Sequence, residues 1–89
     1  MAKFGTIWTN LEIISEPNVI LTFRGYAPVV LVRIEKSGIT KVMYLSAKSL
    51  ASKLEELRAN NDGKFQGLRL KIRKEDDEKL AKYLVESRE

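Results

Sequence analysis

The sequence predicts an α+β domain in which four antiparallel strands precede a helix, a fifth strand and a C-terminal helix. Two observations lead to this prediction. Apolar and polar residues alternate in most segments before residue 46 and again in 68–74, whereas residues 47–58 repeat apolar side chains at about 3.6 residues. Turn-forming Gly, Pro and Asn residues separate these segments, so each segment is taken as one element.

The four N-terminal strands lie in stretches rich in β-branched and aromatic residues. Their predicted bounds are Phe4–Ile14, Val19–Arg24, Val29–Lys36 and Ile39–Leu45. Alternation in the first stretch is imperfect, so we expect a bulge or break near Asn10. Turns are expected at Glu16–Asn18, Gly25–Pro28 and Lys36–Gly38. This spacing predicts an antiparallel meander with a hairpin formed by the last two strands.

One helix is predicted after these strands. Ser46 is placed as its N-cap, because a serine hydroxyl can accept a backbone N–H of the first turn. The apolar stripe of the helix consists of Ala47, Leu50, Ala51, Leu54 and Leu57. Asn60–Gly63 offers residues for a left-handed C-cap, so the helix is expected to end there.

The clearest alternation in the chain follows in Phe65–Lys74, the predicted fifth strand. Three apolar side chains are expected to face the core and three basic ones the other side: Leu68, Leu70 and Ile72, against Arg69, Lys71 and Arg73. A second helix is predicted from Glu75–Glu78, since four acids suit the positive end of a helix dipole. This helix would turn Leu80, Tyr83 and Leu84 toward the core.

Length and composition predict one small domain. The chain has 89 residues, and residues 1–89 are expected to form one domain around a single hydrophobic core. Its composition, with 44% hydrophobic and 31% charged residues, is typical of globular proteins. A domain of this size buries only about 60–65% of the surface of its unfolded chain. We therefore expect a homodimer, which would bury more of that surface.

Catalysis is not expected, because the sequence contains no Cys and no His. Thiolate nucleophiles, Ser-His-Asp triads and zinc sites with the usual ligands are thereby excluded. The acids Glu75–Glu78 are explained by a helix N-terminus, and no other carboxylates form a convincing spaced pair. We therefore predict no enzyme activity, no metal ion and no cofactor.

The sequence also favours a cytoplasmic protein without a membrane partner. Its longest apolar run, Ala27–Val32, is far shorter than the roughly 20 residues of a membrane span. The lack of cysteine fits a reducing compartment, where disulfides are rare.

Positive charge is concentrated in one strand. The chain has a net charge of +4, and residues 64–74 hold five basic and no acidic residues. Arg69, Lys71 and Arg73 would lie about 6.5–7 Å apart along the strand, close to the spacing of phosphates in a nucleic-acid backbone. An ordinary solvated strand face, or protection of an edge strand by charge, explains the same pattern without a ligand.

The candidate binding residues combine cations and aromatic rings. They are Trp8, Arg24, Tyr26, Arg33, Tyr44, Lys64, Phe65, Arg69, Lys71 and Arg73. Trp8 would share its strand face with Thr6 and Asn10, which fits a contact residue as well as a core residue.

The order of four strands and a helix, joined at Leu45-Ser46, resembles the repeat unit of Whirly-type single-strand DNA-binding proteins. The resemblance covers residues 4–60 and concerns topology alone. It implies a four-stranded sheet presenting basic and aromatic residues, and a dimer formed through the helices. The fifth strand and second helix depart from this unit and the most basic strand lies outside it, so the resemblance assigns no binding residue.

Two functions remain open at this level. The first is a small nucleic-acid-binding protein that prefers single strands, neutralises phosphates and stacks bases, with little sequence specificity. The alternative is a protein-interaction or inhibitory module, of the kind encoded by viruses and mobile elements, that acts on a partner protein. A basic and aromatic concavity would favour the first, and a large exposed apolar patch the second.

Overall fold

The computed structural model describes residues 3–88 and confirms the α+β class. Its elements are β1 (Thr9–Ile13), β2 (Asn18–Thr22), β3 (Gly25–Ile34), β4 (Thr40–Tyr44), α1 (Lys48–Ala59), β5 (Arg69–Lys74) and β6 (Tyr83–Ser87). All strands join one antiparallel sheet, in which β4, β3, β1, β5 and β6 lie side by side. The predicted fifth strand is confirmed as β5, although it begins at Arg69 instead of Phe65.

The first two strands do not form the predicted meander. β1 and β2 both pair with β3 along the edge opposite β4, with Ile13 beside Val32 and Asn18 beside Val29. The chain therefore keeps its direction through residues 14–17. The Ile14 N–H still donates to the Leu31 carbonyl oxygen of β3 at 2.9 Å, and residues 15–17 form a bulge. Pro17 lies in this bulge, and a residue without a backbone N–H suits a position outside the ladder. The predicted break at Asn10 is wrong, since β1 runs through it.

The predicted turn at Gly25–Pro28 is also wrong, because these residues belong to β3. The turn instead consists of Phe23 and Arg24, and Gly25 follows with a φ of 107°, a conformation that favours glycine. Pro28 is tolerated in β3 because its backbone groups point away from β2, so its missing N–H removes no hydrogen bond between these two strands. Its carbonyl oxygen instead accepts the Leu45 N–H at 3.0 Å. Residues 18–28 form a β hairpin, here called the arm.

Helix α1 covers one face of the sheet and completes the core. Leu50 and Leu54 are buried, as the helical stripe predicted. The cap residue is Ala47 and no side chain caps the helix, so the prediction for Ser46 is wrong. No helix within residues 3–88 combines the length and apolar character needed to cross a membrane.

The core consists of the inward side chains of the sheet, α1 and the loop before β5. Its buried members are Leu11, Ile13, Val30, Val32, Met43, Leu50, Leu54, Phe65, Leu68, Leu70, Ile72 and Val85. Successive strand residues point to opposite sides, so the alternate residues of β1, β3 and β5 form the sheet face without the helix. We call this second face the open face.

Within residues 3–88 the predicted C-terminal helix is absent, and its place is taken by bends over 75–78, a turn at 79–80 and strand β6. The four acids lie in the bends, and Leu80 is 93% exposed instead of buried. Tyr83 packs against the core and Val85 lies in it, which is the alternation of a strand. A strand wins over a helix because β6 pairs with the free edge of β5, whose backbone groups need hydrogen-bond partners.

Leu70→Ala and Leu80→Ala provide a matched test of this fold. Leu70 is fully buried in β5, so its truncation should lower the free energy of unfolding by about 2–5 kcal/mol. Leu80 is exposed, so the same change there should cost less than about 0.5 kcal/mol. Urea denaturation followed by circular dichroism measures both values. Similar losses at the two positions would contradict the strand and support a C-terminal helix.

Candidate nucleic-acid interface

Strand β5 brings the basic side chains to the open face, as the sequence predicted. Leu70 and Ile72 are fully buried on the helix side, whereas Arg69 is exposed and Lys71 and Arg73 are partly exposed. The basic row is therefore a feature of the sheet surface. Its surroundings depend on the neighbouring strands β1 and β6.

Trp8 lies against this basic row. The Lys74 N–H donates to the Gly5 carbonyl oxygen at 2.7 Å, which holds the segment before β1 beside β5. The Lys71 Nζ is then 4.7 Å, and the Arg73 Cζ 5.1 Å, from the centre of the Trp8 ring. These are cation–π distances, each worth about 0.5–1 kcal/mol at an exposed site. Trp8 is half-buried, so part of its surface stays accessible.

Arg73 is held by a second set of contacts. Its Nη1 donates to the carbonyl oxygens of Lys74 and Glu75, at 3.1 and 3.4 Å. These bonds fix the guanidinium at the end of β5, beside the Trp8 ring. The cluster of Trp8, Lys71 and Arg73 is thus held together by contacts within the chain.

Glu12 links two further cations across the open face. It pairs with Arg69 in β5 and with Arg33 in β3. Its Oε1 lies 2.7 Å from the Arg33 Nη2 and 3.8 Å from the Arg69 Nε. One carboxylate therefore balances part of the charge of two arginines.

The basic row of β5 is partly neutralised by acids from neighbouring strands. Lys71 Nζ lies 3.7 Å from Glu86 of β6, and Arg88 pairs with Glu35 at the end of β3. Within the described part of the chain, the open face holds five basic and three acidic residues: Arg33, Arg69, Lys71, Arg73 and Arg88, against Glu12, Glu35 and Glu86. Counting charges along residues 64–74 could not reveal these acids, because they reach the open face from strands that are distant in sequence.

A groove opens beside Trp8. Its lining residues are Gly5, Thr6, Ile7, Trp8, Thr9, Asn10, Ile34, Glu35 and Lys36. Ile7 is 82% exposed, so the groove has an apolar wall next to the ring and a polar wall at Glu35 and Lys36. A flat apolar group can enter from solvent and reach the Trp8 ring.

The other predicted aromatic and basic residues lie elsewhere. Arg24, Tyr26 and Tyr44 line a separate groove at the arm, which shares no residue with the one at Trp8. Tyr26 is 77% exposed and belongs to the helix side of the sheet. Lys64 is exposed in the loop after α1, where its carbonyl oxygen accepts the Asn61 Nδ2 at 2.8 Å.

Phe65 belongs to the core and is only 7% exposed. The Arg58 guanidinium lies over its ring, 5.6 Å from the centre. Its ring therefore cannot stack on a base, and Phe65 does not join the candidate interface. The sequence analysis placed Phe65 at the start of the fifth strand, whereas β5 begins at Arg69 and Phe65 lies in the loop before it, packed into the core.

No family model matches the chain, and no curated protein or solved structure matches it either. Within residues 3–88 no three acidic side chains converge as metal ligands. The predicted acidic cluster is a turn in which the Glu78 N–H donates to Asp76 and the Lys74 Nζ to the Glu78 carbonyl oxygen.

A double-mutant cycle with Trp8→Leu and Lys71→Met tests the ring–cation contact. We expect a coupling energy of about 0.5–1 kcal/mol in the free energy of unfolding, because the two side chains meet at cation–π distance. A cycle with Trp8→Leu and Lys53→Met is the control, since Lys53 lies on the helix. Equal coupling in the two cycles would show that the contact contributes nothing.

Proposed function

We propose that this protein binds single-stranded nucleic acid on its open face, without catalysing a reaction and with little sequence preference. The observation that supports this most is the cluster of Trp8, Lys71 and Arg73, which places a tryptophan ring and two cations at one point of a sheet surface. Base stacking together with phosphate neutralisation is the usual basis of such binding.

Phosphates would be bound by the cations of β5 and β3. Exposed ion pairs are worth only about 0–1 kcal/mol, so Arg69, Lys71 and Arg33 can turn from their carboxylates to phosphates at low cost. The acids that remain on the face weaken this attraction. We therefore expect modest affinity that falls steeply with salt, in proportion to the phosphates neutralised.

A base would be bound at Trp8. The apolar side of the groove lies next to the half-buried ring, and an unpaired base is a flat group of suitable chemistry. Bases in a duplex are already stacked and paired, so they are less available to this ring. Single strands are therefore the preferred ligand.

The triple variant Arg69→Ser, Lys71→Ser and Arg73→Ser tests this function. Fluorescence anisotropy with a labelled single-stranded oligonucleotide should show weaker binding and a salt slope reduced by about one unit per lost phosphate contact. The control changes Lys48, Lys79 and Lys82 to Ser, which removes the same charge away from the open face. Equal losses of affinity in the two triple variants would show that only net charge matters. Unchanged binding by the β5 variant would show that β5 is not part of the interface.

Glu12→Gln should strengthen the same binding. The change removes a negative charge that lies between Arg33 and Arg69, and we expect affinity to rise about two- to fivefold at low salt. Glu56→Gln is the matched control, because Glu56 lies on α1 and pairs with Lys53. Weaker binding by Glu12→Gln would contradict this prediction. It would show that the arginines need the carboxylate to hold their positions, and that repulsion between Glu12 and phosphate does not limit binding.

A second function, binding to a protein partner, is favoured by the arm. Its helix side leaves Val19, Leu21 and Tyr26 exposed at 59%, 70% and 77%, and Phe23 at the turn is fully exposed. Such contiguous apolar surface is typical of a protein contact. In the oligonucleotide assay, failure of both single and double strands to bind at low salt would leave this second function.

A further inference from the structure

The arm presents an unpaired strand edge without charge. Among the residues that the structure describes, β2 pairs with β3 on one side only, and residues 17–23 include no Asp, Glu, Lys or Arg. The two other terminal strands of the sheet carry Lys41 and Glu86, and charged side chains normally prevent edges from pairing. β2 lacks that protection, which points to a partner for its edge.

The backbone of β2 shows which groups are available. Val19 faces Pro28, whose carbonyl oxygen is turned toward Leu45, so these two residues form no hydrogen bond with each other. Because the pattern alternates, the N–H and carbonyl groups of Val19 and Leu21 point away from β3. The Val19 N–H confirms this direction, since it donates to the Oδ1 of Asn18 at 2.9 Å.

We propose that two copies of this chain associate by antiparallel pairing of their β2 strands about a twofold axis at Ile20. In this register Val19 of each copy faces Leu21 of the other, and each pair exchanges two backbone hydrogen bonds. An isologous contact uses the same patch twice, which an antiparallel strand edge allows. The Asn18 side chain releases the Val19 N–H when the strands pair.

Charge complementarity independently supports this register. The charged residues that flank the neutral segment are Glu16 and Arg24, and each lies four positions from Ile20. Glu16 precedes β2 and Arg24 follows it, so an axis at Ile20 brings the end of β2 next to Glu16 in one copy close to the end next to Arg24 in the other, twice. Centring the axis on Val19 or Leu21 would lose this match, and centring on Val19 would place Pro17, which has no N–H, opposite Leu21.

Both charged side chains have capacity for that contact. Glu16 accepts the backbone N–H groups of Phe65 and Gln66, at 3.3 and 2.7 Å, which fixes its carboxylate against the loop before β5. A carboxylate can accept further donors. Among residues 3–88 the Arg24 side chain makes no hydrogen bond or ion pair, and only its backbone N–H bonds to Thr22.

Pairing would also shield apolar surface. Val19 and Leu21 lie on the helix side of the arm, together with Tyr26 and Pro28. Helix α1 does not cover Val19 and Leu21, which remain exposed. Side chains opposite each other on paired strands lie about 4.5–5.5 Å apart, within contact range. Each exposed Val19 would then pack against an exposed Leu21 of the second copy.

Sedimentation equilibrium of the protein without nucleic acid tests the proposal. We expect a concentration-dependent dimer, and Arg24→Glu should weaken it about tenfold or more, because two attractive contacts become repulsive. Lys36→Glu is the control for the same charge change, as Lys36 is exposed in the turn after β3. Circular dichroism checks that both variants fold. A protein that stays monomeric throughout, or equal dimer stability in both variants, would overturn the proposal.

Cysteine cross-linking tests the register, since the natural chain has no Cys. Ile20 would face its own counterpart in a non-hydrogen-bonded pair with Cα atoms about 4.5 Å apart, within disulfide range. Ile20→Cys should therefore form a covalent dimer on mild oxidation. Leu21→Cys should not, because its two copies would lie more than about 7 Å apart. Leu31→Cys, on the open face, is a second control. If the protein dimerises but Ile20→Cys forms no covalent dimer, the two copies associate through another surface and the proposed pairing is wrong.

Discussion

The pairing of β1 with two partners is the constraint on which the rest of the structure depends. β1 lies between β3 and β5, and Leu11 and Ile13 are fully buried beneath α1. The Ile13 N–H donates to the Leu68 carbonyl oxygen and its own carbonyl accepts the Gly67 N–H, both at 2.8 Å. These contacts join residues distant in sequence. Without them β5 and β6 would have no place in the sheet.

The open face follows from the same pairing. Trp8 meets Lys71 and Arg73 because the segment before β1 continues along β5, and Glu12 meets two arginines because β1 has a basic neighbour on each side. The sheet thus assembles both the ring–cation cluster and the acids that moderate its charge. A surface of this kind suits reversible, salt-sensitive contacts, since each ion pair on it is weak.

Much of the fold could be predicted from local patterns, and the exceptions share a cause. Alternation located β5 and separated its buried apolar residues, Leu70 and Ile72, from its basic residues, and helical periodicity located α1. Residues 75–88 were assigned wrongly because Tyr83, Leu84 and Val85 fit a helix or a strand equally well. Tyr83–Ser87 forms a strand because it pairs with the otherwise unpaired edge of β5, and that edge exists only after β5 has joined the sheet. Similarly, Pro17 marks a bulge instead of a turn because β3 spans both β1 and β2.

The sequence by itself determined the α+β class, the helix, the alternating faces of β5 and the lack of cysteine and histidine chemistry, because these depend on residue type and short-range spacing. It also supplied Trp8 and the basic row as candidates for a binding face. Tertiary structure alone decided that Phe65 is buried, that Trp8 lies against Lys71 and Arg73, and that the β2 edge stays unpaired. Those facts depend on which strands become neighbours, and contacts between distant segments leave no local pattern to read.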